Sequence, residues 1–305
     1  MPELPDITVY TEALRRRVVG ATLSRVRIHS PALLKTFDPP IDAAEGATVT
    51  RISRLGKRIV LHLNNDTALV FHLMIAGRFR WSDDTAAATK KGKIDLAAFV
   101  FTTGTLTLTE ASQLKRAALH LVRESDLHQH DPKGLDVLTC PPQDFAAALR
   151  ATTRTLKRAL TDPRTLDGIG NAYSDEILHA ARLSPTQRTT NLSDEELARL
   201  HAAARSTLER WTATLLREFE LDRPGPGRFP GPGEITAFRP DFAVHGKFNK
   251  PCPACGTKVQ RIIYAENECN FCPRCQTGGK VLADRSLSRL LKEDWPRTID
   301  ELESL

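Results

Sequence analysis

The stretch Leu166-Asp167-Gly168-Ile169-Gly170-Asn171-Ala172-Tyr173-Ser174-Asp175-Glu176 decides how the chain is read. Gly168 and Gly170 lack a Cβ, so the backbone there can turn sharply and come close to a ligand. Asn171 stands where a helix begins and is expected to cap it. The free amides of such a helix start form a natural phosphate site. On these residues alone the segment is a helix-turn-helix hairpin that either binds nucleic acid or only packs. Around it, Phe145–Thr161, Asn171–Ala181 and Asp194–Phe219 are rich in Ala, Leu and Arg and read as helices. Beyond them Asp222–Glu234 is packed with Pro and Gly, which predicts a loop or hinge.

Toward the N-terminus, a polar stretch from about His128 to Pro142 reads as a linker. Before it the pattern is β. Leu23–Ile28, Thr48–Ile52, Arg58–Leu63, Ala68–His72, Ala97–Phe101 and Leu106–Thr109 are short apolar or β-branched runs. Turn-forming stretches such as Asn64-Asn65-Asp66 and Thr103-Gly104 separate them, which predicts a sandwich or barrel. One amphipathic helix opens the chain, with Ile7, Tyr10, Leu14 and Val18 at helical spacing and Gly20 as its stop.

Toward the C-terminus, Cys252 and Cys255 form one Cys-x-x-Cys knuckle and Cys272 and Cys275 another, sixteen residues apart. Two knuckles can set four thiolates at the corners of a tetrahedron, the geometry of a closed zinc site. A redox pair would need only one knuckle. Lys258–Tyr264 and a return strand near Asn270 would complete a zinc ribbon. With all four positions filled by cysteine, one Zn2+ per chain is expected to be structural, and the chemistry lies elsewhere. Cys140 and Cys269 fall outside the pattern and read as ordinary thiols.

The expected fold class is α+β. A β-sandwich domain flanked by helices spans 1–131, and a helical domain spans 132–235. A zinc finger follows over 236–282, then a short helical tail over 283–305. Lys and Arg number 43 against 37 Asp and Glu, a net +6 that fits a polyanionic partner without specifying one. A hydrophobic fraction of 41% supports a sizeable core and argues against disorder. The start, Met-Pro-Glu-Leu-Pro-Asp, lacks the basic and apolar regions of a secretory signal. No window approaches the roughly 20 apolar residues of a membrane span. The expectation is an intracellular, cytoplasmic protein with no membrane partner and with reduced thiols.

Five pieces, in order, resemble one family. Pro2-Glu3-Leu4-Pro5-Asp6 is similar to the N-terminal signature of the formamidopyrimidine-DNA glycosylase/endonuclease VIII family. Leu55-Gly56-Lys57 resembles its strand-loop lysine motif, and His72-Leu73-Met74-Ile75-Ala76-Gly77-Arg78 its groove-probing loop. Residues 166–176 look like its helix-two-turn-helix, and the four cysteines like its zinc finger. The resemblance implies a bifunctional base-excision repair enzyme, a DNA glycosylase and AP lyase, acting as a monomer near the bacterial nucleoid. Its partner would be double-stranded DNA carrying oxidised bases or abasic sites. The alternative in another class is a non-catalytic damaged-DNA-binding paralogue of the same fold.

By that resemblance Pro2, exposed by removal of Met1, is the nucleophile. An α-amino group titrates near about 8, so a useful fraction is neutral near pH 7. Its attack on C1′ expels the base and leaves an iminium, whose charge acidifies the C2′ protons and permits β,δ-elimination. Glu3 would be the general acid/base; its bland reading is a carboxylate that only complements the helix start. Lys57 and Asn171 would hold phosphates flanking the lesion, with Gly170 bringing the backbone close. The bland reading of Lys57 is a solvated strand-end lysine. Ile75, with Met74 beside it, would fill the gap left by an extruded nucleotide; ordinary core packing is the other reading.

Two places depart from the family pattern. Ser112 and Leu114 replace the Arg-x-Phe pair of the purine-specific branch, leaving Gln113 as the hydrogen-bonding group there. Asn267, between Glu266 and Glu268, replaces the arginine of the ribbon tip. Two carboxylates there would repel phosphate; Arg261, Arg274 or Lys280 are the residues that could compensate, and otherwise the tip sits differently or the clamp is weaker. The lesion preference is therefore left open.

Overall fold

The computed structural model describes residues 1–85, 92–264, 267–282 and 296–303. It groups into two compact units, one of Met1–Pro132 with Arg210–Ala237, the other of Lys133–Glu209 with Phe238–Leu305.

In the first unit, α1 (Leu4–Val18) buries Ile7, Tyr10, Leu14 and Val18, as their spacing predicts. The strands are β1 (Leu23–Ile28), β2 (Val49–Leu55), β3 (Arg58–Leu63), β4 (Thr67–His72), β5 (Gly77–Ser82), β6 (Asp95–Phe101), β7 (Gly104–Glu110) and β8 (Ala118–Arg123). They form two four-stranded sheets, ordered β1-β6-β7-β5 and β2-β3-β4-β8. Every neighbouring pair is antiparallel, so the sequence runs fold into a sandwich. Phe71 of β4 packs edge-to-face on Phe79 at 5.2 Å and on Phe99 at 5.1 Å. Tyr10 meets Phe79 at 5.3 Å, and its hydroxyl accepts the Phe79 N–H at 3.2 Å, fastening α1 to β5.

Strands β5 and β8 are absent from the sequence reading. Each carries few inward apolar residues, Phe79 and Trp81 in one and Leu119 and Leu121 in the other, set between arginines or histidine. Such short alternation is decided by pairing with neighbours rather than by local propensity.

The sequence places 132–235 in one helical domain, whereas residues 210–237 pack with the sandwich. Leu215, Phe219, Leu221 and Ile235 belong to its core. The Pro/Gly segment is not a free hinge. Arg16 of α1 donates to the carbonyls of Leu221 at 2.6 Å and of Arg223 and Gly225 at 2.8 Å. Arg17 donates to those of Pro226 at 2.9 Å and Gly227 at 2.8 Å. Pro and Gly rule out regular structure but leave carbonyls that arginine side chains can gather.

The second unit holds α2 (Pro142–Arg150), α3 (Leu156–Thr161), α4 (Asn171–Ala181) and the larger part of α5 (Asp194–Glu218). It also holds the hairpin β9 (Gln260–Tyr264) and β10 (Asn267–Phe271) and the short α6 (Pro273–Thr277). The single helix expected over Phe145–Thr161 is broken between α2 and α3, where Thr152, Thr153 and Thr155 favour turn and cap positions over helix interior. Part of the expected tail helix is described, over Ile299–Glu303; residues 283–295 and 304–305 lie outside the described residues. Among the described residues no helix is long and apolar enough to cross a membrane.

Candidate active site and metal centre

In the first unit the chain start is folded into the protein. Pro2 is buried, and Glu3 and Asp6 are each 2% exposed. Glu3 takes the cap position of α1, and the two acids form a reciprocal capping box. In it the Glu3 N–H donates to Asp6 Oδ2 at 2.9 Å. The box ties both carboxylates to the backbone of the first turn of α1, next to the chain start. Lys57 follows Gly56 in the two-residue turn between β2 and β3, where Gly56 has φ +61°, the sign such a hairpin needs at its first loop position. Lys57 is buried, not the solvated strand-end lysine of the bland reading.

These groups share one electrostatic neighbourhood. Burial is the largest influence on the Met1 amine and lowers its pKa below the usual value. Glu3 and Asp6 pull it back up, while Arg78 and Lys57 push it down. The N-terminal amine, a carboxylate pair and two cations therefore stand within Coulombic reach of one another. His72, at the end of β4, is pushed down to about 4 by burial and by Arg58, Lys57 and His120. It is neutral near pH 7.

The probing loop that follows His72 is a tight turn. Met74 takes φ +53°, and Gly77 closes the turn by donating its N–H to Leu73 O at 2.9 Å. A Cβ on Gly77 would lie 2.3 Å from that oxygen, so glycine is required. The turn lifts Ile75 to 52% exposure and leaves Met74 half-buried. Core packing is thus excluded for Ile75. The Glu110–Ala117 loop is clasped similarly: the buried Glu110 carboxylate accepts the N–H groups of Arg116 and Ala117, both at 3.0 Å. Leu114 stands at 63% exposure on it.

In the second unit, the glycine-rich turn delivers α4 with Gly170, not Asn171, at the cap position. Asn171 is the first helical residue, and its Nδ2 donates to the Glu268 carbonyl of β10 at 2.9 Å. The expectation of a capping asparagine is corrected: Gly170 takes the cap, and the Asn171 side-chain amide is engaged by a backbone carbonyl of the ribbon instead. Arg261 lies over the Phe248 ring at 4.2 Å and 3.4 Å from the Glu268 carboxylate. Glu266 lies outside the described residues.

Sequence reading missed what Asp175 and Glu176 do. Asp175 is fully buried, bound by Lys157 at 2.6 Å, His245 Nδ1 at 2.8 Å and the Asn270 N–H at 3.1 Å. Burial alone would raise its pKa, but Lys157 and His245 hold it below the usual carboxylate range. Glu176 accepts the N–H groups of Ala243, Val244 and His245 at 2.7, 2.9 and 2.9 Å. The two acids tie α4 to the ribbon. The available signal was two adjacent acids on a helix start that otherwise buries its side chains.

The ribbon brings Cys252, Cys255, Cys272 and Cys275 together with every ligand atom within 4.8 Å of the others. The sulfur pairs Cys255–Cys272 and Cys252–Cys275 lie 3.4 and 4.0 Å apart, far beyond a disulfide bond. They bracket the edge of about 3.8 Å that follows from Zn–S bonds of about 2.3 Å in a tetrahedron. His179 Nε2 stands 3.2 Å from Cys252 Sγ, and the Cys275 N–H 3.5 Å from Cys272 Sγ, contacts that suit thiolates. The site can hold a metal ion. Cys269 is buried away from this set, its thiol pushed well up by burial, and Cys140 is buried 3.9 Å from His201.

Known proteins agree with this architecture. A model of the formamidopyrimidine-DNA glycosylase N-terminal domain matches residues 1–136, and one of the H2TH domain of the same enzymes matches 136–214. A formamidopyrimidine-DNA glycosylase of Heliobacterium modesticaldum is 32% identical over 286 residues, covering 90% of this chain and 100% of its own. One of Thermus thermophilus is 33% identical, covering 92% and 100%. The Lactococcus lactis enzyme, solved non-covalently bound to DNA containing an AP site, has the same fold, with a TM-score of 0.76 over 90% of this chain and 99% of its own, at 23% identity. The chain belongs to the formamidopyrimidine-DNA glycosylase/endonuclease VIII family.

Proposed function

We propose that this protein is a base-excision repair DNA glycosylase with AP lyase activity, using the amine of Pro2 after Met1 is removed. The observation that carries the reading is the buried chain start, where an amine of lowered proton affinity sits within reach of Glu3, Asp6, Lys57 and Arg78. The Met1 amine stands in here for the Pro2 amine one residue further on. The neutral form of that amine has the lone pair that would form a bond to C1′ of a damaged nucleotide.

As the N–C1′ bond forms, the base departs with its bonding electrons and takes up a proton. Glu3, buried beside the amine, would supply a proton to the sugar ring oxygen and move protons afterwards. As the C1′–O4′ bond breaks, the secondary amine, having given up its own proton, is left as an iminium with no N–H to lose; the persisting charge acidifies C2′, whose proton would pass to the Glu3 carboxylate. Elimination of the 3′ and then the 5′ phosphate follows. Lys57 would hold a flanking phosphate, and Ile75 would enter the space the extruded nucleotide leaves. In the second unit Asn171 and Gly170 would meet the backbone, with Arg261 on the ribbon supplementing a tip that has Asn267 in place of arginine. Cys252, Cys255, Cys272 and Cys275 would hold one Zn2+, which supplies only structure because no coordination position is left open.

Borohydride trapping on an abasic duplex tests the reading. The mature chain should give a covalent product, lost in Pro2→Gly or when Met1 is retained. Binding of damaged duplex with no trapped product on any lesion would instead mark a non-catalytic damage-binding protein.

A further inference from the structure

Arg78, the first side chain of β5 after the probing turn, is used by none of the steps above, yet it joins three parts of the first unit. Its Nε donates to Ile235 O at 2.7 Å, at the end of the segment that Arg16 and Arg17 gather. Its NH1 donates to Ile75 O at 3.1 Å and to Gly77 O at 2.7 Å, the backbone beneath the exposed isoleucine. Its charge reaches the N-terminal amine, and Asp6 and Tyr10 act on it in turn. The guanidinium is planar and permanently charged, so one group can fork between several carbonyls and still act as a fixed cation.

We infer that Arg78 is a positioning residue for the proposed chemistry, locking the Ile75 turn to the backbone at Ile235 while keeping a permanent positive charge near the N-terminal amine. This rests on the reading of Pro2 as nucleophile. The charges that act on the Met1 amine, one residue before Pro2, are those of Glu3 and Asp6 from α1, Arg78 from β5 and Lys57 from the β2–β3 turn. Burial and the two cations disfavour the protonated amine while the two carboxylates favour it, so removing the Arg78 charge favours protonation. The fork and the charge are separable. Lysine keeps the charge but cannot bond three carbonyls in one plane, and glutamine loses the charge.

The test is the pH dependence of single-turnover trapping with wild type, Arg78→Lys and Arg78→Gln, alongside thermal unfolding of each. In Arg78→Gln the acid limb of the trapping rate should move to higher pH. In Arg78→Lys the limb should stay, while the rate on lesion DNA falls roughly tenfold because the Ile75 turn is less well placed. On DNA already carrying an abasic site that loss should be smaller. If wild type traps and both variants match it in limb and rate, the inference is wrong while the Pro2 reading stands. If wild type does not trap, the Pro2 reading itself has failed. Equal loss at every pH in both variants, tracking a lowered unfolding temperature, would reduce Arg78 to a structural residue.

Discussion

Glu3 caps α1 and, on the proposed chemistry, would also carry a proton, and a substitution can separate the two. Glu3→Gln keeps an acceptor for the α1 capping box but cannot carry the proton. Unfolding should change little, while excision of a damaged base falls by about a hundredfold or more. A loss of stability matching the loss of activity would favour the purely structural reading. Ile75 offers a parallel separation. At 52% exposure it contributes little to the core, so Ile75→Ala should leave stability within about 0.5 kcal/mol. Base excision should nonetheless slow, since an emptied stack has lost its filler; a cost of about 2 kcal/mol or more would instead indicate packing. His120 gives a pH prediction. Burial, with His130, Arg58 and Lys35, pushes it down to about 4, and among the described residues its Nδ1 has no hydrogen-bond partner. Unfolded, it would titrate near about 6.5, so between those values the unfolded chain binds more protons. Its contribution to stability is therefore present above about 6.5 and lost as pH falls toward about 4. His120→Gln should flatten the fall of the unfolding midpoint over that window, and an unchanged slope would count against it.

At the scale of elements, much of the molecule was legible because local pattern and tertiary demand agreed. The periodicity of Ile7, Tyr10, Leu14 and Val18 gave α1, and Arg58–Leu63 gave β3 to the residue. The four cysteines gave the ribbon, since thiolate spacing is itself the geometry. Strands β5 and β8 were not legible, because their few inward residues gain meaning only from partners far along the chain. The clasp on residues 221–227 was equally hidden: nothing in Arg16 or Arg17 says which carbonyls they will meet. Arg16→Ala should cost about 1–2 kcal/mol. Hydrogen exchange should also quicken at the Arg228 N–H, which bonds Phe219 O at 2.8 Å. The α4–ribbon tie is the stronger element contact. Asp175→Asn leaves Lys157 without its buried countercharge and should destabilise the second unit by about 3 kcal/mol, with a measurable loss of bound zinc.

For the whole molecule, the candidate site was readable only as a constellation. Pro2 and Glu3 alone are an ordinary chain start, and Lys57 alone an ordinary turn lysine. Burial of all three with Asp6 and Arg78 in one neighbourhood is what makes the start of the chain chemically distinct. Lesion choice is less legible, because Ser112, Leu114 and Asn267 stand where the family's reading and clamping residues would be. Affinity for damaged duplex should rest on phosphates and fall by about a hundredfold or more between about 50 and about 200 mM salt. A flat response would count against duplex binding. The central claim is that the reacting atom is the nitrogen of Pro2. Mass spectrometry of the borohydride-reduced protein–DNA product, after digestion of both partners, locates the bond directly. The account predicts a reduced sugar remnant on the N-terminal peptide that begins at Pro2. A remnant on Lys57 or another lysine, with the N-terminal peptide unmodified, would contradict it.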